Sequence, residues 1–194
     1  AIKFAREYLC EPIHDMSSMF PMSLLEKARD PTLTLMSKAE QEYDDNGEPI
    51  GIFGQHFIGY DPAISSDKNA DYTAMTVMRM LPGEETKQLI HTVHEKGLSS
   101  MAQKRMMVTL NSRFQPDLIE LEGNNFQRML EAELRAMAAD MPIKIFMTTR
   151  AKKESMFMSL LLAFEQGHIK TPWGDEKSKE FTRTLETELS RFGM

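Results

Sequence analysis

From Ile50 onward the apolar residues fall into two rhythms, one of period two and one of period near 3.6. Phe57 to Asp61 reads as a short strand that ends on an acid and is stopped by Pro62. Thr73 to Met80 is a second strand, and Lys87 to His94 a third. The turn Leu81-Pro82-Gly83-Glu84 joins them into a hairpin. Ser99 to Phe114 is a helix with Ala102, Met106, Leu110 and Phe114 on one face, ended by Pro116. Asp117 to Glu122 is a fourth strand. Asn124 to Ala139 is a helix whose stripe is Phe126, Leu130, Leu134 and Met137. Ile143 to Thr148 is a fifth strand. A helix from Ala151 to Gln166 carries Met156, Phe157, Leu160, Leu161 and Phe164 and closes at Gly167. Asp175 to Arg191 is the last helix, with Phe181, Leu185, Leu189 and Phe192 expected to face inward.

Residues 1 to about 50 differ. Pro12, Pro21, Pro31 and Pro49 interrupt them, and Asp44-Asp45-Asn46-Gly47 is a turn signal, so this stretch reads as an irregular arm with a short helix near Ser23 to Ala28. The regular part has the order βββαβαβα. A three-strand antiparallel meander followed by alternating helices and strands predicts an α/β fold, with a mixed central sheet and helices on both faces. That order is the ribonuclease-H-like arrangement.

Composition narrows the function classes. A chain of 194 residues with 41% hydrophobic and 27% charged residues is ordinary globular material. Cys10 is the single cysteine, which excludes an internal disulfide and a cysteine-based zinc site. The richest apolar run, Met156 to Phe164, is far short of the roughly 20 residues that a membrane span needs. The net charge of -6 argues against gripping nucleic acid by bulk electrostatics, but not against acting on it through bound cations. The 17 methionines read as adaptable core filler. No Gly-x-x-x-x-Gly-Lys-Ser/Thr loop occurs, so no P-loop ATPase is encoded in this stretch.

Two acids stand out. Asp61 ends the first strand, where α/β sheets place their sites, although an Asp before Pro62 also suits a plain turn. Glu122 ends the fourth strand, and alternation puts Glu120 and Glu122 on one face, opposite Ile119 and Leu121. The other reading is an edge strand with one wet face. If Asp61 and Glu122 end neighbouring strands, they repel one another and need a cation between them. Hard oxygen ligands select Mg²⁺ or Mn²⁺, and such a pair suits phosphodiester hydrolysis.

Phe57-Ile58-Gly59-Tyr60-Asp61-Pro62-Ala63 with Asp71-Tyr72-Thr73-Ala74 resembles the first nuclease motif of phage terminase large subunits. Ile119 to Gln127, through Glu122-Gly123-Asn124-Asn125, resembles their second motif. Thr148-Thr149-Arg150-Ala151-Lys152-Lys153-Glu154, a helix, and then Gly167-His168-Ile169-Lys170-Thr171-Pro172 is similar to the family's Thr-x-x-x-Lys helix and the Gly-hydrophobic-x-x-Pro strand after it. Tyr8-Leu9-Cys10-Glu11-Pro12 resembles the entry into that domain.

The resemblance implies a metal-dependent endonuclease domain that cuts concatemeric viral DNA, with residues 51–194 as the nuclease and residues 1–50 as the arm from a preceding ATPase domain of the same polypeptide. It implies Asp61 and Glu122 as catalytic, metal-holding acids, Asp71 as a further acid, and two Mg²⁺ or Mn²⁺ ions. The implied partners are double-stranded DNA, a portal and a small terminase subunit, in the host cytoplasm and not in a membrane. The family's third acid opens a C-terminal helix, often after Gly-His-Asp. No such motif occurs here, Asp175 and Glu176 come too early, and Glu186 and Glu188 read as a solvated face, so that acid is expected beyond Met194.

Lys144, Arg150, Lys152, Lys153 and Lys170 cluster around the fifth strand and the next helix. Arg150, Lys152, Lys153 and Lys170 are the candidate DNA contacts, against the plain reading of a solvated helix start. His91 and His94 lie three apart in a strand, face opposite ways and make a poor metal pair. His168 reads as a surface histidine and Trp173 as a cap on the core. Two other functions fit parts of the pattern: another ribonuclease-H-like resolvase or transposase core, and a non-catalytic domain that docks on DNA or a motor partner.

Overall fold

The structure, a computed structural model, describes residues 18–63, 71–123, 125–147 and 149–191. The elements in chain order are α1 (Met22–Glu26), β1 (Arg29–Asp30), β2 (Gln41–Tyr43), β3 (Pro49–Ile52), β4 (Gln55–Asp61), β5 (Tyr72–Met80), β6 (Lys87–Lys96), α2 (Ser100–Phe114), β7 (Leu118–Glu122), α3 (Asn125–Met137), β8 (Ile143–Phe146), α4 (Arg150–Glu165), β9 (Ile169–Pro172) and α5 (Glu176–Ser190). Seven strands form one sheet in the order β1-β9-β6-β5-β4-β7-β8, and β2 and β3 form a separate hairpin. The meander β4–β5–β6 is antiparallel, and β7 and β8 continue it in parallel beside β4. The mixed sheet and its helices match the expected ribonuclease-H-like arrangement.

Alternation assigns each strand residue to one of two faces. Ile58, Tyr60, Met75, Val77, Ile119, Leu121 and Ile143 point to one side, where they pack with Met107, Leu110 and Phe114 of α2 and Leu130 and Leu134 of α3. Ile58, Ile119 and Leu121 are at most 1% exposed, each contributing about 1.5–3 kcal/mol by burial. On the other side Phe20, Leu25, Ala28, Phe164 and Ile169 form a smaller cluster against Met78, Phe157 and Leu160. Hence α2 and α3 cover one face, and α1 and α4 cover the other. The register between β4 and β7 is pinned at their start. The His56 N–H donates to Asp117 Oδ2 at 2.8 Å, and the Asp117 N–H donates to the His56 carbonyl at 2.8 Å.

The arm reading needs correction at its described residues. β1 pairs in parallel with β9, with Arg29 opposite Thr171, and Phe20, Leu25 and Ala28 are buried in the smaller core. The Asp44–Gly47 turn joins a real hairpin: Asp44 Oδ1 accepts from the N–H groups of Asn46 and Glu48, and Gly47 takes φ +82°. Two- to four-residue strands carry too little alternation to be recognised before their partners are known. The Tyr8–Pro12 segment, Thr148, Asn124, Phe192 and the side chain of Phe126 lie outside the described residues.

Two helical stripes also differ from expectation. α2 buries Gln103, Lys104, Met107, Leu110 and Phe114, with Ala102 and Met106 at its margin. α5 buries Ser178, Thr182 and Glu186, whereas Phe181, Leu185 and Leu189 are half-buried. Its inward face is polar because it satisfies the chain beneath it. Ser178 Oγ accepts from the Leu35 N–H, the Thr182 hydroxyl donates to the Pro172 carbonyl, and Glu186 takes Arg29. Glu186 therefore belongs to the interior, not to a solvated face. Met137 and Met156, expected inside, are 44% and 49% exposed.

Candidate active site

Tyr60 of β4 pairs in register with Leu121 of β7, so the next residues, Asp61 and Glu122, end adjacent parallel strands. Both lie on the face opposite the main core, because Tyr60 and Leu121 point into it. Gly59, Asp61, Ala74, Thr76, Glu120 and Glu122 form the floor of a crevice of about 470 Å³. Phe146 of β8 and Lys153, Met156, Phe157 and Leu160 of α4 form its wall. Gly59 sits between Thr76 and Glu120 in register, and open space stands where its side chain would be. The floor is thus recessed beside the acids.

Asp61 is exposed at the mouth of the crevice, yet its carboxyl is pushed above the usual carboxylate range. Desolvation by the crevice walls is the larger cause, and the negative charge of Glu122 is next. The Lys153 ammonium opposes both, and Asp71 adds to the upward push. Glu122 and Asp71, two further acids singled out in the sequence, therefore both bear on the Asp61 carboxyl at this end of the sheet.

The strand exit is held from below by a buried network that sequence reading passed over. The Tyr60 hydroxyl donates to Gln103 Oε1 at 3.0 Å, and Gln103 Nε2 donates to the carbonyls of Ala63 at 2.9 Å and Leu98 at 3.0 Å. The Ala63 N–H donates to Thr73 Oγ1 at 3.4 Å. Burial, helped by the Asp61 charge, pushes the Tyr60 phenol upward, so it stays a neutral donor. The segment Asp61-Pro62-Ala63 is thereby tied to α2 and β5. The available signal was a glutamine on the inward face of a helix, at a position that an apolar stripe would normally fill.

The basic candidates separate. Thr149 caps α4, its hydroxyl accepting from the Lys152 N–H at 3.3 Å. That places Lys153 in the crevice wall and the Lys152 ammonium 5.2 Å from the Phe146 ring centroid. Arg150 is exposed and paired with Glu154 at 3.1 Å. Lys170 is not brought to the acids. It pairs in register with Gln88, which stands opposite Arg79, which stands opposite His56 at the start of β4. It lies beside Asp30, at the far end of the sheet from Asp61. Lys144 follows Glu120 in register but does not line the crevice.

Other sequence candidates take structural work. Asp175 caps α5, accepting from the Ser178 N–H at 2.7 Å, and Glu186 holds Arg29. His91 faces the core side against Phe114, and His94 stacks on Tyr72, so they point apart as expected. His168 meets Glu85 at 3.5 Å. Trp173 lies beneath the Arg29 and Arg183 guanidinium groups, at 4.1 and 5.2 Å.

The donor set fits a hard divalent cation. Asp61 and Glu122 supply carboxylate oxygens, Asp71 adds charge, and one ammonium only partly offsets them. Among the described residues no group of three or more His, Cys, Asp or Glu side chains converges to hold a metal ion.

Comparison with known proteins agrees with this architecture. The profile of the terminase RNaseH-like domain matches residues 58–193. The large terminase nuclease from thermophilic phage G20c, crystallised with bound magnesium, is 17% identical, with 92% of this chain and 82% of that one covered at a TM-score of 0.60. The nuclease domain of the large terminase subunit of bacterial virus Sf6, with manganese and beta-thujaplicinol, is 12% identical, with 90% and 81% covered at 0.57. The HK97 bacteriophage large terminase is 8% identical, with 79% of this chain and 34% of that one covered at 0.54. At these identities the likeness is one of fold. No curated protein matches the chain. The profile spans both acids and the crevice helix, and the chain belongs to the terminase RNaseH-like domain family.

Proposed function

We propose that this domain is a Mg²⁺- or Mn²⁺-dependent endodeoxyribonuclease that hydrolyses phosphodiester bonds of double-stranded viral DNA during genome packaging. The observation that carries the reading is the convergence of Asp61 and Glu122 at the ends of adjacent strands, in one crevice shared with Lys153. Asp61 and Glu122 would hold the metal, with Asp71 beside them. Bound there, the ions would supply an activated water and charge for the leaving oxygen.

The chain's own residues do the rest. The Tyr60–Gln103–Ala63 network fixes the strand exit, so the Asp61 carboxylate is oriented in advance. The apolar wall of Met156, Phe157 and Leu160 limits water in the crevice and strengthens its electrostatics. Lys153 supplies a fixed positive charge that a phosphate can approach without displacing the acids. In this reading the domain works with an ATPase domain of the same polypeptide, a portal and a small terminase subunit. No described helix is long and apolar enough to cross a membrane.

Nicking of supercoiled plasmid tests the reading. The parent chain should relax plasmid with Mn²⁺ and not with EDTA, and Asp61→Asn and Glu122→Gln should each lower the rate at least about a hundredfold. Unchanged nicking by both variants would end the assignment.

A further inference from the structure

The crevice-facing row of side chains does not stop at Asp61. Register carries it across five strands: Phe146 on β8 beside Glu122 on β7, Asp61 on β4, Ala74 on β5 opposite Asp61, and His94 on β6 opposite Ala74. One step further toward the strand ends, Tyr72 stands opposite Lys96 on the same face. The Tyr72 and His94 rings stack with centroids 4.0 Å apart and planes inclined by 22°. The Lys96 ammonium lies 4.5 Å from the Tyr72 centroid. All three side chains are exposed, Tyr72 at 45%.

The acid pair is thus bracketed on one face by two cation–aromatic pairs. Lys152 over Phe146 stands on the β8 side, and Lys96 over Tyr72 on the β6 side. Four inter-strand steps separate β8 from β6, about 19 Å. That is the length of about five to six base pairs of duplex. A chain of net charge -6 has little general attraction for DNA, so cations placed beside the acids matter more here than in a basic protein. Among the described residues Lys96 has no carboxylate partner, unlike Arg150 with Glu154. Glu95 stands opposite Thr73, on the other face. The aromatic ring limits where the Lys96 ammonium can go while leaving its outer side to solvent, so less entropy is lost when a phosphate binds.

We propose that Tyr72, His94 and Lys96 form a second phosphate-binding subsite that holds the DNA backbone on the β6 side of the crevice, with Lys96 and His94 contacting phosphate and Tyr72 fixing both. This subsite deepens the nuclease reading and rests on it.

The test is binding of a fluorescently labelled 20-base-pair duplex, measured by anisotropy without divalent metal over a range of salt concentrations, followed by plasmid nicking with Mn²⁺. Lys96→Ala should weaken duplex binding about three- to tenfold and lower the slope of log affinity against log salt by about one. Tyr72→Ala should weaken binding similarly, and Tyr72→Phe, which keeps the ring, should restore it. In nicking, the loss should appear as a higher plasmid concentration for half-maximal rate, with Mn²⁺ affinity by calorimetry unchanged. If the parent chain binds and cuts, and both Lys96→Ala and Tyr72→Ala match its affinity and salt slope, the subsite is wrong and the nuclease reading stands. If the parent chain neither binds duplex nor cuts plasmid, both proposals fall together.

Discussion

Arg29 grips Glu186 with two parallel hydrogen bonds, Nε to Oε1 at 2.8 Å and Nη2 to Oε2 at 2.7 Å, joining the first strand of the sheet to the last helix. The Glu186 side chain is 4% exposed, and the Arg29 guanidinium also lies over Trp173. Removing the arginine would leave a buried carboxylate without its partner. Arg29→Ala is expected to lower unfolding free energy by about 3 kcal/mol, measured by urea denaturation. A loss below about 1 kcal/mol would mean that this pair behaves like a surface ion pair.

Gln103 is 2% exposed and bonds three groups around the exit of β4. Gln103→Leu keeps the shape but strands the Tyr60 hydroxyl and two carbonyls, at a cost of about 2 kcal/mol. Because the same bonds hold Asp61-Pro62-Ala63, Mn²⁺-dependent nicking should slow about tenfold or more, as expected for a misplaced reacting group. A variant that loses stability but nicks at the parent rate would make the network structural only.

His56 is fully buried, and among the described residues neither ring nitrogen has a hydrogen-bond partner of good geometry. Burial holds its ionisation below the usual histidine value, with the Arg79 charge adding to the effect. Burial lowers His91 too, against a hydrogen bond to the Met36 carbonyl. A histidine depressed in the folded state is neutral there while the unfolded chain takes up a proton. The folded state is therefore unpenalised above the unfolded value of about 6.5 and loses stability as pH falls below it. The urea midpoint should drop between pH 7.5 and pH 5.5, and His56→Leu should flatten that drop. A midpoint independent of pH over this range would contradict the assignment.

Asp61 works with the opposite sign of charge. Its carboxyl is raised by desolvation and by Glu122, so the folded state favours the protonated form. Its contribution to stability is present below the unfolded value and is lost as pH rises through the raised folded value, leaving a cost at neutral pH. Asp61→Asn should therefore melt slightly higher than the parent chain in EDTA at pH 7.5. Saturating Mn²⁺ should reverse the order, because only the parent gains the binding free energy. A variant less stable than the parent in EDTA would show that desolvation and the Glu122 charge do not raise this carboxyl.

The meander, the crevice acids and the helix that walls them were legible because each rests on a local signal. Alternation in Ile119 to Glu122 predicts which way Glu120 and Glu122 point, and the β4–β7 register bears that out. Arg29 and Glu186 were illegible because nothing local distinguishes a glutamate that meets a distant arginine from one that meets water. Likewise, the polar inward stripe Ser178, Thr182 and Glu186 exists only because β1 and the chain around Leu35 lie beneath α5. Lys170 stood near Lys152 and Lys153 in sequence, but β9 crosses to the far side of β6 and carries it away.

Titration calorimetry of Mn²⁺ at neutral pH into the parent chain, Asp61→Asn and Glu122→Gln tests most directly whether the two strand ends form one cation site. The account predicts measurable binding by the parent, and at least about a tenfold loss of affinity in each variant, since each removes one charged ligand. Equal Mn²⁺ affinity in all three proteins would contradict it.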